Sequence, residues 1–172
     1  MERAQVMLNE MTASRRATLS AVAVAVLGGL SARAAAQAMG PAASQADADI
    51  LNVALALEHE AIAAYQLGAT SGLLAKPVLD VAVAFQSHHK AHRDALAAAI
   101  RKLGGRPVAE KSLADYASAL GAAGLKSQAD VLGLAARLEL GAANAYLGVI
   151  PAFADRDLAQ VAGRLAADET LH

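Results

Sequence analysis

The stretch Leu57-Glu58-His59-Glu60-Ala61-Ile62-Ala63-Ala64-Tyr65 decides how this chain is read. It sits inside a helical pattern, Ile50 to Gly68, with Asp47 and Asp49 as candidate N-caps and a glycine at its close. The inward stripe of that helix reads Leu51, Ala54, Glu58, Ala61 and Tyr65, so an acid stands where the period calls for core. Glu58 and Tyr65, seven apart, are only about 20° out of line on an α-helix and share one face. The spacing recurs as Glu139-x6-Tyr146, and a histidine-containing i, i+3 pair follows each copy. From Glu58 to His92 is 34 residues and from Glu139 to His172 is 33, so one helix pair is written twice.

Working outward, Pro77 opens a second helix, Val78 to Leu103, which ends at Gly104-Gly105-Arg106-Pro107. Ser112 to Leu120 is a short helical piece inside a long connection that holds Gly121 and Gly124. Ser127 caps a third long helix ending near Ile150-Pro151, and Asp155 caps a fourth that runs to His172. Two long helices, a crossover with a small helix and two more long helices predict an all-α fold: an antiparallel four-helix bundle with one long crossover. Composition agrees. The 172 residues are 56% hydrophobic but 3% aromatic, and alanine and leucine, the strongest helix formers, dominate. A β-sandwich or barrel would need the β-branched and aromatic residues that are scarce here. With no cysteine there is no disulfide framework, thiolate metal site, iron–sulfur cluster or cysteine nucleophile. A formal net charge of −1 provides no basic stripe for nucleic acid.

Each long helix breaks its apolar stripe in the same way. The second reads Val78, Phe85, His89, His92, Leu96, Ala99, Leu103; the third Leu132, Ala135, Glu139, Ala142, Tyr146; the fourth Leu158, Val161, Leu165, Glu169, His172. A buried, unpaired carboxylate is costly, so three of them facing one interior require a compensating charge. A divalent metal supplies it, and the candidate ligands are Glu58, His89, His92, Glu139, Glu169 and His172. Mixed nitrogen and oxygen donors suit iron, manganese or zinc. Glu60, His59 and His88 lie off the stripe centres, where a residue either supports a ligand or faces solvent. Gln86-x-x-His89 is an alternative frame, three residues early against the internal repeat.

These residues resemble the ferritin-like superfamily of metal-binding bundles, which includes ferritins, bacterioferritins and rubrerythrins. Its pattern is one Glu from each of two helices and Glu-x-x-His from each of the other two. Leu57 to Tyr65 looks like the first-helix element, His89 to Leu96 stands where the second belongs, and Leu103-Gly104-Gly105-Arg106-Pro107 resembles a bacterioferritin-like exit. Glu139 and Glu169-Thr170-Leu171-His172 complete the set, and the resemblance covers about residues 47–172.

One departure matters. His89-x-x-His92 stands where the pattern has Glu-x-x-His, and a neutral imidazole has one lone pair where the bridging glutamate has two oxygens. Three carboxylates leave two divalent ions undercompensated, so a single metal, or one tight and one weak site, stands beside the dinuclear arrangement. The resemblance implies iron or manganese, one or two ions per chain, with dioxygen or peroxide as the reactant. Without cysteine the chain lacks a rubredoxin-type relay, so any electron donor is external. The competing reading is a non-catalytic structural or stress-protective bundle that has lost the metal. Oligomer size is left open.

Ser14-Arg15-Arg16-Ala17-Thr18-Leu19, the apolar run Ala21 to Leu30 and the small-residue exit Ser31 to Ala38 have the three-part layout of an export signal. The paired arginines resemble a twin-arginine signal, with Thr18 and Ser20 where that pattern usually has phenylalanine and lysine. The run is shorter than the roughly 20 residues that span a bilayer, so membrane contact would come only through an uncleaved signal. Residues 1–38 are expected to be cleaved after Ala36 or Ala38, 39–46 to be a linker, and 47–172 to be the bundle of a periplasmic or otherwise exported protein. At the other end, Glu169 and His172 close the chain while their partners lie mid-helix. That predicts a shortened, truncated fourth helix, with His172 a poor ligand in a fraying last turn.

Overall fold

The computed structural model describes residues 40–172, and the expected export signal lies outside the described residues. Over that span the chain is all-helical, with no strand among the described residues. The helices are α1 (Pro41–Thr70), α2 (Lys76–Lys102), the short α3 (Leu113–Ala119), α4 (Gln128–Val149) and α5 (Arg156–Leu171). Two 3-10 turns, Ala122–Gly124 and Ile150–Ala152, precede α4 and α5. α1 packs along α2 and α4 along α5; α1 also meets α4 and α3. None of the described helices is long and apolar enough to cross a membrane.

The ends of the helices follow their local chemistry with one exception. Ser127 and Asp155 cap α4 and α5 as read, and Ser112, read as the first residue of the short helix, caps α3; each accepts from a backbone N–H in the first turn. α2 stops in a Schellman motif: Gly104, at φ +86°, lets its own N–H reach Arg101 O (3.0 Å) and that of Gly105 reach Ile100 O (2.9 Å). The exception is α1, which begins at Pro41 and not at Ile50, so the stretch read as a linker is mostly helix. Proline at a first helical position forfeits no hydrogen bond, and Ala42 and Ala43 propagate the turn. Asp47 is no N-cap. It is fully buried inside α1, and its carboxylate accepts from the backbone N–H groups of Ala154 (2.8 Å) and Asp155 (3.0 Å). A distant segment claims the side chain that local pattern assigned to a cap.

Leu51, Leu55, Leu96, Ile100, Leu158 and Leu165 form a packed core among α5, the N-terminal half of α1 and the C-terminal half of α2. On α4 the expected stripe is out of phase by one residue at its start. Leu132 is 46% exposed, whereas Val131 and Leu134 are buried together with Glu139, Ala143 and Tyr146. The contact with α1 sets this phase: Val131 lies against Gly68, where an added Cβ would come within 3.0 Å of the valine Cγ1. Asn52 ties the crossover to α1, donating to Arg106 O (3.0 Å) and accepting from Val108 N–H (2.7 Å).

Candidate metal centre

The six side chains singled out by their stripe positions converge. Glu58, His89, His92 and Glu169 each place a ligand atom within 4.8 Å of the others, and so do His89, Glu139, Glu169 and His172. Glu169 and His89 belong to both groups. His172 does not fray. Its side chain is 1% exposed, with Nδ1 3.4 Å from Glu139 Oε2 and 3.3 Å from Glu169 Oε2. Its backbone N–H still bonds Asp168 O at 3.1 Å, which holds the last turn in register.

The buried atoms are short of partners. Among the described residues, both His92 ring nitrogens, Glu139 Oε2, Asp168 Oδ2, both Glu169 carboxylate oxygens and His172 Nδ1 lack a hydrogen bond. His92 Nδ1 lies 3.6 Å from Glu58 Oε1 and 3.5 Å from Glu169 Oε1, close enough for charge to matter but not aligned for donation. Buried polar atoms without partners are rare in folded proteins, and here they face one another. A divalent cation would satisfy them together, and oxygen and imidazole donors fit a first-row transition metal. These groups could hold a metal ion.

Protons balance the cluster in its present form. Burial opposes the charge on His89, but the Glu139 and Glu58 carboxylates outweigh it and raise its pKa to about 10. His92 is pushed up to about 12 in the same way, burial being overcome by Asp168, Glu169 and Glu58. His172 also rises, against burial, through Glu139 and Glu169. Burial would lift Glu58, yet His89 and His92 bring it down to about 2, and His172 and His89 likewise hold Glu139 below the usual carboxylate range. Glu169 is the exception: burial and the charge of Glu58 hold it above its ordinary value. It is the carboxylate most in need of a cation.

Residues 46–172 match a family model described as a ferritin-like domain. The chain belongs to the ferritin-like family. No curated protein and no solved structure matches it.

In this ferritin-like domain the supporting residues are arranged as two copies of one plan. Tyr146 donates to Glu58 Oε1 (2.5 Å) and Tyr65 to Glu139 Oε1, so each tyrosine serves the glutamate of the other repeat. Burial and the adjacent carboxylates raise both phenols, which keeps them protonated donors. Asp168 Oδ2 stands 3.3 Å from His92 Nε2, and His88 Nδ1 stands 3.1 Å from His172 Nε2. Burial and the neighbouring His172 lower the pKa of His88, so it stays neutral and accepts from His172 Nε2–H. Both terminal histidines thus turn Nδ1 toward the carboxylates; the other nitrogen of His172 bonds His88, and that of His92 faces Asp168 without an aligned hydrogen bond.

Asp168, 2% exposed, was missed by the stripe reading. The repeat could have found it, since Asp168-Glu169-x-x-His172 aligns with His88-His89-x-x-His92. His59 serves elsewhere, with Nε2 3.3 Å from Val108 O and Nδ1 3.8 Å from Glu110, beside Asn52 on the crossover. Glu60 joins neither ligand group. Gln86 spans α1 and α2 by donating to Ile62 O (3.0 Å) and Gln66 Oε1 (3.1 Å), so the alternative Gln86-x-x-His89 frame is not the one assembled.

Proposed function

We propose that this ferritin-like protein binds iron or manganese, about one to two ions per chain, between Glu58, His89, His92, Glu139, Glu169 and His172, and performs dioxygen or peroxide chemistry there. The reading includes an antiparallel four-helix bundle crossed over between α2 and α4. It also includes export to the periplasm by the twin-arginine route, supported by Arg15, Arg16 and the apolar run behind them. The observation that carries the metal centre is the set of buried, mutually facing ligand atoms with no hydrogen-bond partner among the described residues. Bound iron or manganese supplies the electrons for reducing oxygen or peroxide. The chain's own residues do the rest. Asp168 and His88 orient the terminal imidazoles, and Tyr65 and Tyr146 hold protons against Glu139 and Glu58. A cavity of about 500 Å³, walled by apolar side chains such as Val78, Phe85 and Leu134, reaches Glu139, Glu169 and His172 and offers a small reactant a dry approach.

Elemental analysis of protein purified without added metal tests this. Wild type should carry iron or manganese, Glu169→Ala should carry none, and the melting temperature of wild type should rise with added metal by mass action. No bound metal and no shift at saturating iron(II) or manganese(II) would leave the rival reading, a structural or stress-protective bundle. That rival draws on a specific observation: the three raised imidazoles already neutralise the carboxylates with protons. Export is tested separately by Arg15→Lys with Arg16→Lys, which should leave precursor in the cytoplasm.

A further inference from the structure

We propose that His89 bridges two metal ions as an imidazolate, in the place where the ferritin-like pattern has a bridging carboxylate. The inference rests on the metal-centre reading above and extends it, committing to two ions and to the ligand between them.

Position argues first. His89 belongs to both ligand groups and meets them with different atoms: Nδ1 is 2.8 Å from Glu58 Oε2, and Nε2 is 3.3 Å from Glu139 Oε1. Glu58 occurs only in the first group and Glu139 only in the second, so the ring stands between the two with one nitrogen turned to each. Its side chain is 1% exposed, which leaves it little freedom to turn away.

The contrast with the other two histidines argues second. His92 has Asp168 at its outer nitrogen and His172 has His88, and each is left with one nitrogen for the cluster. For His89 the polar contacts of both nitrogens are glutamates of the candidate centre. A histidine built as a terminal ligand needs an outer partner to choose its tautomer. A bridging one does not.

Donor count argues third. A bridging carboxylate offers an oxygen to each of two ions, whereas a neutral imidazole offers one lone pair. The imidazolate offers two, and so restores the donor atom lost when histidine replaces glutamate. The exchange balances: both ring N–H protons pass to solvent, two nitrogen–metal bonds form in their place, and no atom changes oxidation state.

The test loads the full chain with copper(II), the tightest-binding of the first-row divalent ions at such sites. Copper retained by Glu169→Ala, which lacks a ligand common to both groups, is subtracted as binding elsewhere. Wild type should then hold two copper ions whose electron paramagnetic resonance signal integrates to well under two spins, because a shared imidazolate couples them. His89→Gln, with one donor to give, should hold a single copper with its full signal, and His89→Glu should restore two. Circular dichroism checks the helical content of each variant. Glu169 also belongs to both groups, and a shared carboxylate couples copper too. Should His89→Gln fail to fold, acidification of wild type therefore decides. Protonating the bridging nitrogen should release the coupling with both coppers still bound; coupling unchanged by acid would assign it to Glu169 and overturn the bridge. Two uncoupled ions, a single ion in wild type, or two ions in His89→Gln would each overturn the bridge and leave a metal centre standing. No copper in wild type beyond that subtraction would overturn the centre itself.

Discussion

The two ends of the bundle treat the same cluster differently. On one side Glu58 and His92 lie one helical turn from Leu55 and Leu96 of the packed core, and Asp168 stands 3.3 Å from the outer nitrogen of His92. On the other side Glu139 and His172 line a cavity of about 500 Å³, and the outer nitrogen of His172 is held by a neutral imidazole that is only partly buried. His92 has a carboxyl group beside it and His172 a second imidazole. A cluster built on a duplicated plan therefore has one half beside the packed core and one half beside an apolar cavity. Repeating a ligand motif does not repeat its environment: the packed core lies beside one copy and the cavity beside the other.

That contrast can be broken most directly in the packing. Leu96→Ala should cost about 2–5 kcal/mol by denaturant unfolding, because Leu96 is fully buried in the close-packed half. Leu134→Ala, on the wall of the cavity, should cost less than about 2 kcal/mol, since a side chain facing a void has fewer contacts to lose. Equal costs would mean that the two ends are packed alike.

Next in size is the support of the histidines. Asp168→Ala should weaken metal at the Glu58–His92 side by about 10–100-fold in a competition titration. His88→Ala should weaken the Glu139–His172 side by less than about 10-fold, as a neutral acceptor polarises its partner less. The reverse order would remove the charge argument for a tighter first half.

The smallest effect is the pH profile, which sharpens the comparison between the proton-filled and metal-filled cluster. In metal-free protein Glu58 is depressed from 4.5 to about 2, so its contribution is present above pH 4.5 and is lost as pH falls toward 2. His89 and His92 are raised from 6.5 to about 10 and 12, so theirs is complete below 6.5 and is lost as pH rises through those values. Metal-free stability should therefore be broadly maximal between pH 4.5 and 6.5, with Glu169 working partly against the acid limb. Bound metal needs the imidazole protons gone, so the rise in melting temperature on adding manganese(II) should grow from pH 6 to pH 8. A metal effect independent of pH would show that no imidazole proton is displaced and that the histidines are not ligands.

Much of this was legible before any tertiary structure. A carboxylate or histidine on an otherwise apolar stripe is visible because the helical period is fixed, and Glu58, His89, His92, Glu139, Glu169 and His172 all fell out of it. Ser112, Ser127 and Asp155 announced three helix starts, because a cap is a contact made within one turn. What failed depended on distant partners. Asp47 has the chemistry of a cap and is used instead to anchor the turn before α5, so α1 could begin earlier than its local signal. The phase at the start of α4 depends on Gly68 admitting Val131, a contact between helices that periodicity cannot see. His172 reads as a fraying end and is buried, because its ring packs on Phe85 and His88 across the bundle. The sequence by itself determined that Glu58, His89, His92, Glu139, Glu169 and His172 face inward, since each falls on the stripe set by its own helix. The start of α4 and Asp47 needed the packing of neighbouring helices. Only the tertiary structure decided which nitrogen of each histidine meets which carboxylate, because that depends on how neighbouring helices are set against one another in depth and rotation.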